Sequence, residues 1–229
     1  MNYELMIETF PKLLSGLGIT LQLVTISLFA GFCLAIGMAL LRLSNNLLLN
    51  FFAKTYIFYF RGTPLLVQIF LIYYGIAQFE FIRESFLWSF FKDAYWCGIL
   101  ALTLNTCAYG AEIIRGGIQS VSFGQIEAAR SVGMSKFLLY RRIILPIAFR
   151  QALPAYGNEM ILMVKATSLV STITIMDITG IARLVIAKTF SPVEIFIMAG
   201  LIYLTINFII TRLVSFTETR FTPYLQHAK

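Results

Sequence analysis

The sequence predicts an all-α membrane protein with about five transmembrane helices, and three observations carry that reading. Of 229 residues, 59% are hydrophobic and only 13% charged, against roughly 25% charged in an ordinary soluble domain. Phe contributes 21 residues and Tyr 11, more apolar surface than a soluble chain of this size can hide. The chain also holds apolar stretches long enough to cross a bilayer. Disorder, fibrous repeats, small disulfide scaffolds and secreted hydrolases fit this composition poorly.

The first span is the uncharged run from Leu13 to Leu41. At 1.5 Å per residue it is about 43 Å long, more than the hydrocarbon core requires. Glu4 and Glu8 on its N-terminal side are the wrong flank for a cleavable signal, so it reads as a mature transmembrane helix. A second span covers about 55–79, interrupted by Arg61, and a third about 94–114. The fourth, near 153–176, is the weakest because Asn158, Glu159 and Lys165 break it; the fifth covers about 195–211.

Loop charges orient these spans. The net charge of +7 comes from 18 Lys and Arg against 11 Asp and Glu. The basic residues concentrate at Arg42 and Lys54, in the loop after Arg115 (Arg130, Lys136, Arg141, Arg142, Arg150), and in the tail at Arg212, Arg220 and Lys229. The connection from Glu80 to Asp93 is instead acidic on balance. By the positive-inside rule the N-terminus lies outside and the C-terminus in the cytoplasm. The excess charge therefore reflects topology, and no nucleic-acid partner is expected.

The third loop is too apolar for a plain linker. Ser122 and Gln125 have capping-box spacing ahead of a short helix, and Gly133 suits its left-handed end. A second start follows at Ser135, and Pro146 is expected to end or kink that helix. Two amphipathic helices around a glycine can lie on the bilayer or dock a soluble partner, and periodicity does not choose between these.

The residues of this loop carry a specific pattern. Glu127-Ala128-Ala129, three residues, Gly133, nine residues, then Ile143-x-Leu145-Pro146 resembles the EAA motif of bacterial ATP-binding-cassette importer permeases. The resemblance extends from about Gly16 to Arg212. Arg61-Gly62-Thr63-Pro64-Leu65-Leu66-Val67-Gln68 is similar to the segment opening the second span of polar amino-acid permeases. Leu104-Asn105-Thr106-Cys107-Ala108-Tyr109 with Glu112 resembles their third span, and Ala152 through Glu159 with Thr167-Ser168-Leu169 their fourth. Within the family the arginine and histidine branch is the nearest in pattern, and Gln68 through Gly75 is most similar to the arginine type.

The resemblance implies one permease domain over 1–229, with the type I importer fold and a coupling loop at about 119–146, in the bacterial inner membrane. It implies two cytoplasmic ATPase subunits, a second permease (identical or homologous) and a periplasmic or tethered binding protein as partners, with lipid around the spans. ATP and Mg would be held by the ATPases, since this chain has no phosphate-binding G-x-x-x-x-G-K-[ST] loop. In the family the EAA loop enters a groove on the ATPase, which assigns Glu127, Ala128, Ala129, Gly133, Leu145 and Pro146 to coupling.

The candidate substrate residues are Glu159, Asn158, Glu112, Thr63 and Ser168. An acid in mid-helix is costly, about 2.5–3.5 kcal/mol on insertion scales, unless it faces a cavity or a partner. Glu159 therefore meets either the cation of a basic amino acid, with Asn158 beside it, or an internal pair with Lys165 or Arg61. Glu112 is either a second such ligand or the i,i+3 partner of Arg115. Thr63 and Pro64 either line a cavity or form a plain kink. Ser168 and Thr167 bond substrate or their own backbone. Ala166 stands where related permeases often carry an acid, a departure that bears on substrate identity. Asp177 and Arg183 are read as outer-loop residues, either solvated or facing the binding protein.

Neither a catalytic group nor a metal site is expected. Cys33, Cys97 and Cys107 sit in apolar runs without CxxC spacing, and the single histidine, His227, is in the polar tail. A stand-alone transporter driven by an ion gradient, with Glu112 and Glu159 as ion sites, is the alternative from another class. Such folds usually carry internal repeats, and none is visible here.

Overall fold

A computed structural model describes residues 3–221; His227 and Lys229 lie outside the described residues. The described residues form helices without a strand. The order is α1 (Tyr3–Ser15), α2 (Leu17–Arg42), α3 (Leu47–Gly62), α4 (Leu65–Phe70), α5 (Glu80–Arg83), α6 (Trp88–Phe91), α7 (Ala94–Gln119), α8 (Phe123–Ser131), α9 (Lys136–Leu139), α10 (Leu145–Thr167), α11 (Ile178–Thr189) and α12 (Pro192–Phe221). Wider π-type turns follow α4 (Leu71–Gly75) and α9 (Tyr140–Ile144), and a tighter 3-10 segment, Ser168–Ile173, follows α10.

Among the described residues three helices are long and apolar enough to cross a membrane: Tyr3–Arg42, α7 and α12. Two bent pairs bring the number to as many as five: α3 with Leu65–Gly75, at 106°, and Lys136–Ile173 with α11, at 48°. The second element thus starts earlier than its hydropathy suggests. Asn46 accepts the Leu48 and Leu49 amides and starts α3 at Leu47, satisfying donors that a helix start leaves orphaned. Asp93 caps α7 the same way through the Tyr95 amide.

The centre of the bundle is the α2–α7 pair, with α10 against α7 and α12 against α10. On α2 the buried residues Thr20, Leu23, Val24, Ser27, Leu28, Gly31, Ala35 and Ala39 recur every three or four positions, one helical stripe. Its C-terminal half is small for a reason. A Cβ on Gly31 would lie 2.8 Å from the Thr106 side chain, and one on Gly110 would lie 3.0 Å from Ala35. Where lipid is as apolar as the side chains, close backbone approach of this kind holds helices together. On α12 the buried stripe is Ile195, Met198, Ala199, Ile202 and Ile206, and the opposite face presents Leu201, Leu204 and Phe208 outward.

Pro146 does not end its helix, which removes one of the two sequence expectations, an end or a kink. From Lys136 to Ile173 the chain runs as one helix through both Pro146 and Pro154. The π-type turn just before Leu145 widens the backbone where the proline ring would clash and its missing N–H would be needed. The hairpin therefore consists of the separate α8 and a second arm continuous with the fourth span. Ser122 also differs: it stands at the start of α8 but makes no side-chain cap bond, so the capping box does not form.

Candidate functional site

The bend between α3 and α4 is built from Gly62, Thr63 and Pro64, with Thr63 and Pro64 extended. Breaking a helix in an apolar medium frees carbonyls that must find donors. Gln68, which is buried, supplies them: its Nε2 donates to the Phe60 carbonyl (2.9 Å), the Thr63 carbonyl (3.1 Å) and Thr63 Oγ1 (2.8 Å). Asn105 on α7 donates to Gln68 Oε1 at 3.1 Å and locks the knot to the third span. The Thr63 hydroxyl is engaged on both sides, since it also donates to the Tyr59 carbonyl. Gln68 and Asn105 lay within the motif segments but were not singled out. An amide amid an apolar run near a proline break was the available signal.

Glu159 is buried in the middle of α10 and has neither a hydrogen bond nor a carboxylate–cation pair within 4 Å among the described residues. Lys165 and Arg61 are both exposed, and Arg61 acts on Glu159 only through its longer-range field. Asn158 sits on the exposed face, so it and Glu159 do not converge. Ser168 and Thr167 donate back to the carbonyls of Lys165 and Val164, each at 2.7 Å. Glu112 forms the i,i+3 pair: Arg115 holds it through Nε at 3.0 Å and NH2 at 2.6 Å, and Arg42 Nε stands 3.9 Å away.

Between the end of α2, α3 and α7 lies a cavity of about 410 Å³, lined by Arg42, Lys54, Phe58, Arg61, Tyr109 and Glu112. The Arg61 guanidinium stands over the Tyr109 ring at 5.1 Å from its centroid, a cation–π placement. Arg42 is fixed reciprocally to Asn50: NH1 donates to Oδ1 at 2.8 Å, and Asn50 Nδ2 donates to the Arg42 carbonyl at 2.7 Å.

The hairpin has its own small core of Val121, Ala129, Leu139 and Ile144. Gly133 has φ +79°, its amide donates to the Arg130 carbonyl, and the Met134 amide reaches the Ala129 carbonyl at 3.1 Å. This is the paired-bond helix ending that a glycine favours. Ser135 caps the second arm through the Leu138 amide. Of the motif residues, Ala129 faces inward, Pro146 is half-buried, and Glu127, Ala128, Gly133 and Leu145 are exposed. Phe123, Val132 and Phe137 also face outward, each more than 70% exposed.

Asp177 overturns its outer-loop reading. It is fully buried, accepts the Gly180 amide at 2.8 Å as the cap of α11, and accepts the Tyr203 hydroxyl at 3.0 Å. Arg183 is exposed and donates to the Ser171 carbonyl at 3.1 Å.

Residues 31–223 match the family described as binding-protein-dependent transport system inner membrane component. The nopaline transport system permease protein NocM of Agrobacterium fabrum is 57% identical over 99% of this chain and 94% of its own length. The histidine/lysine/arginine/ornithine transport system permease protein HisM of Escherichia coli is 44% identical over 94% of this chain and 90% of its own. The crystal structure of an amino acid ABC transporter with histidines superposes with a TM-score of 0.87 at 37% identity, covering 96% of this chain and 99% of that one. Matched over most of its length in sequence and in helix arrangement, the chain belongs to the binding-protein-dependent transport system inner membrane components.

Proposed function

We propose that this chain is the permease subunit of an ATP-driven importer for basic amino acids and their N-carboxyalkyl derivatives. The observation that carries the substrate class is Glu159: a buried carboxylate in mid-span with no cation bound to it. A carboxylate held in that state is matched by a cationic substrate group that arrives and leaves. The relatives' names support the same class, since they speak of nopaline, histidine, lysine, arginine and ornithine.

In this reading the N-terminus is outside and the C-terminus cytoplasmic, with the basic hairpin on the inner side. The chain works beside an identical or homologous permease, two ATPases that hold ATP and Mg, and a substrate-binding protein. Glu127, Ala128, Gly133, Leu145 and the exposed Phe123 and Phe137 form the face offered to the ATPase, while Ala129 and Pro146 support it from behind. ATP binding favours one of two pathway states, and that difference in affinity biases the cycle.

The test is uptake of labelled arginine by proteoliposomes holding the permease–ATPase complex, with the binding protein outside and ATP inside. Uptake that requires ATP, resists uncouplers and disappears in Glu159→Gln, with the complex still assembled, is the expected result. Undiminished uptake in Glu159→Gln removes Glu159 from the substrate site. Uptake abolished by uncouplers with ATP present points to the ion-driven transporter instead.

A further inference from the structure

We infer that the cavity between α2, α3 and α7 is a second substrate subsite, one that receives carboxylates, with Arg61 and Lys54 as its specificity-determining residues. The inference rests on the importer reading above and adds to it the part of the substrate that Glu159 does not contact.

The argument begins with a charge imbalance. Arg42, Lys54 and Arg61 line the cavity, yet Glu112 is the one acid among the lining residues. That acid is already held by Arg115 from two nitrogens and is shared with Arg42. Among the described residues Lys54 has neither a hydrogen bond nor a carboxylate within 4 Å, and Arg61 stands over the Tyr109 ring and reaches Glu112 and Glu159 only through its longer-range field. Arg61 lies one turn from the break in the second span, in a helix whose neighbours are Phe58, Tyr59 and Phe60. An arginine there needs water, an acid or a ligand.

Glu159 presents the complementary deficit. Its carboxyl group is buried without a bound cation, and it feels the field of Arg61. A ligand with a cation at one end and an excess of acids at the other would answer both. Arginine itself offers one carboxylate. Arginine extended on its α-nitrogen by a carboxyethyl or dicarboxypropyl group, as in octopine and nopaline, offers two or three. About 410 Å³ is within the range of small-molecule sites. The planar guanidinium of Arg61, steadied by Tyr109, suits two-pronged binding of a carboxylate.

The experiment compares uptake of arginine, octopine and nopaline by the same proteoliposomes carrying wild type, Arg61→Gln, Arg61→Lys or Lys54→Gln. The binding protein is unchanged throughout, so ratios between substrates report on the permease. The expected result is a graded loss in Arg61→Gln: nopaline uptake falls tenfold or more, octopine less, and arginine by under threefold. Arg61→Lys recovers most of the nopaline uptake, and Lys54→Gln lowers the nopaline-to-arginine ratio at least threefold. Lys54 is exposed in the middle of α3, so that variant decides the matter even if Arg61→Gln fails to assemble. Equal losses for all three substrates, or no loss, overturn the subsite. Wild type that carries arginine but neither carboxyalkyl derivative overturns the subsite and leaves the importer reading standing. Wild type that carries none of the three overturns both.

Discussion

The Tyr203 hydroxyl donates to Oδ2 of Asp177 at 3.0 Å, and no cation shares that buried carboxylate among the described ion pairs. The contact joins the last span to the turn ahead of α11. Thr20 on α2 accepts the Ile178 amide at 3.3 Å, and a Cβ on Gly16 would lie 2.7 Å from the Asp177 carbonyl carbon. The last span therefore meets the cap of α11 through its carboxylate, and the start of α2 meets it through the backbone.

Tyr203→Phe removes one of those donors without changing the packing volume. Leaving a buried acceptor short costs about 1–3 kcal/mol. The melting temperature of the detergent-purified complex should fall accordingly, with membrane insertion unaffected. A melting temperature identical to wild type shows that the contact contributes nothing.

Gln68→Leu keeps the bulk of the side chain and strips the bend of its donor. The Phe60 and Thr63 carbonyls and the Asn105 amide would all lose a partner at once. With about 1–3 kcal/mol at stake for each buried group, this variant should be among the least stable single changes in the chain. Yield of assembled complex, compared with an exposed control such as Leu47→Ala, is the measurement.

Gly117→Ala tests the junction at which α7 and α10 meet near the hairpin. Its Cβ would sit 2.6 Å from the Ala148 carbonyl oxygen, backbone against side chain with no rotamer to yield. Overpacking of this kind costs about 1–3 kcal/mol. A thermal shift well below that of Gly124→Ala, which has open space around it, is expected.

Gly133 has the opposite problem: space is free around it, but its φ of +79° is hard for a side chain to adopt. Gly133→Val should strain the turn by about 1–2 kcal/mol, and Gly133→Asn much less. If the hairpin drives or senses the ATPase, substrate-stimulated ATP hydrolysis drops in the valine variant and survives in the asparagine one. Equal stimulation in both separates the turn from coupling.

Much of this fold is written locally. The glycine ending at Gly133 and the helix start at Ser135 act within a few residues of themselves, so a linear reading finds them. What it misses depends on partners far along the chain. Asp177 reads as a loop acid because its burial is made by Tyr203, Thr20 and Gly16. Pro146 reads as a helix end because the widened turn that accommodates it has no signature in residue type. Lys165 looked like a partner for Glu159, but six positions at about 100° each turn it to another side of the helix. Glu112 was the easier case, since its partner Arg115 lies one turn away.

The unbroken helix from Lys136 to Ile173 gives the hairpin mechanical reach. At about 1.5 Å per residue it is a shaft of roughly 55 Å, so a tilt of about 5° displaces one end relative to the other by about 5 Å. Glu159 rides on that shaft about three-fifths of the way along. Its far end meets Thr174, whose φ of 70° stands at the 48° bend before α11. A rod pivoting near Thr174 and pushed at its exposed foot would carry Glu159 through about two-fifths of the push, without any residue near the carboxylate having to rearrange.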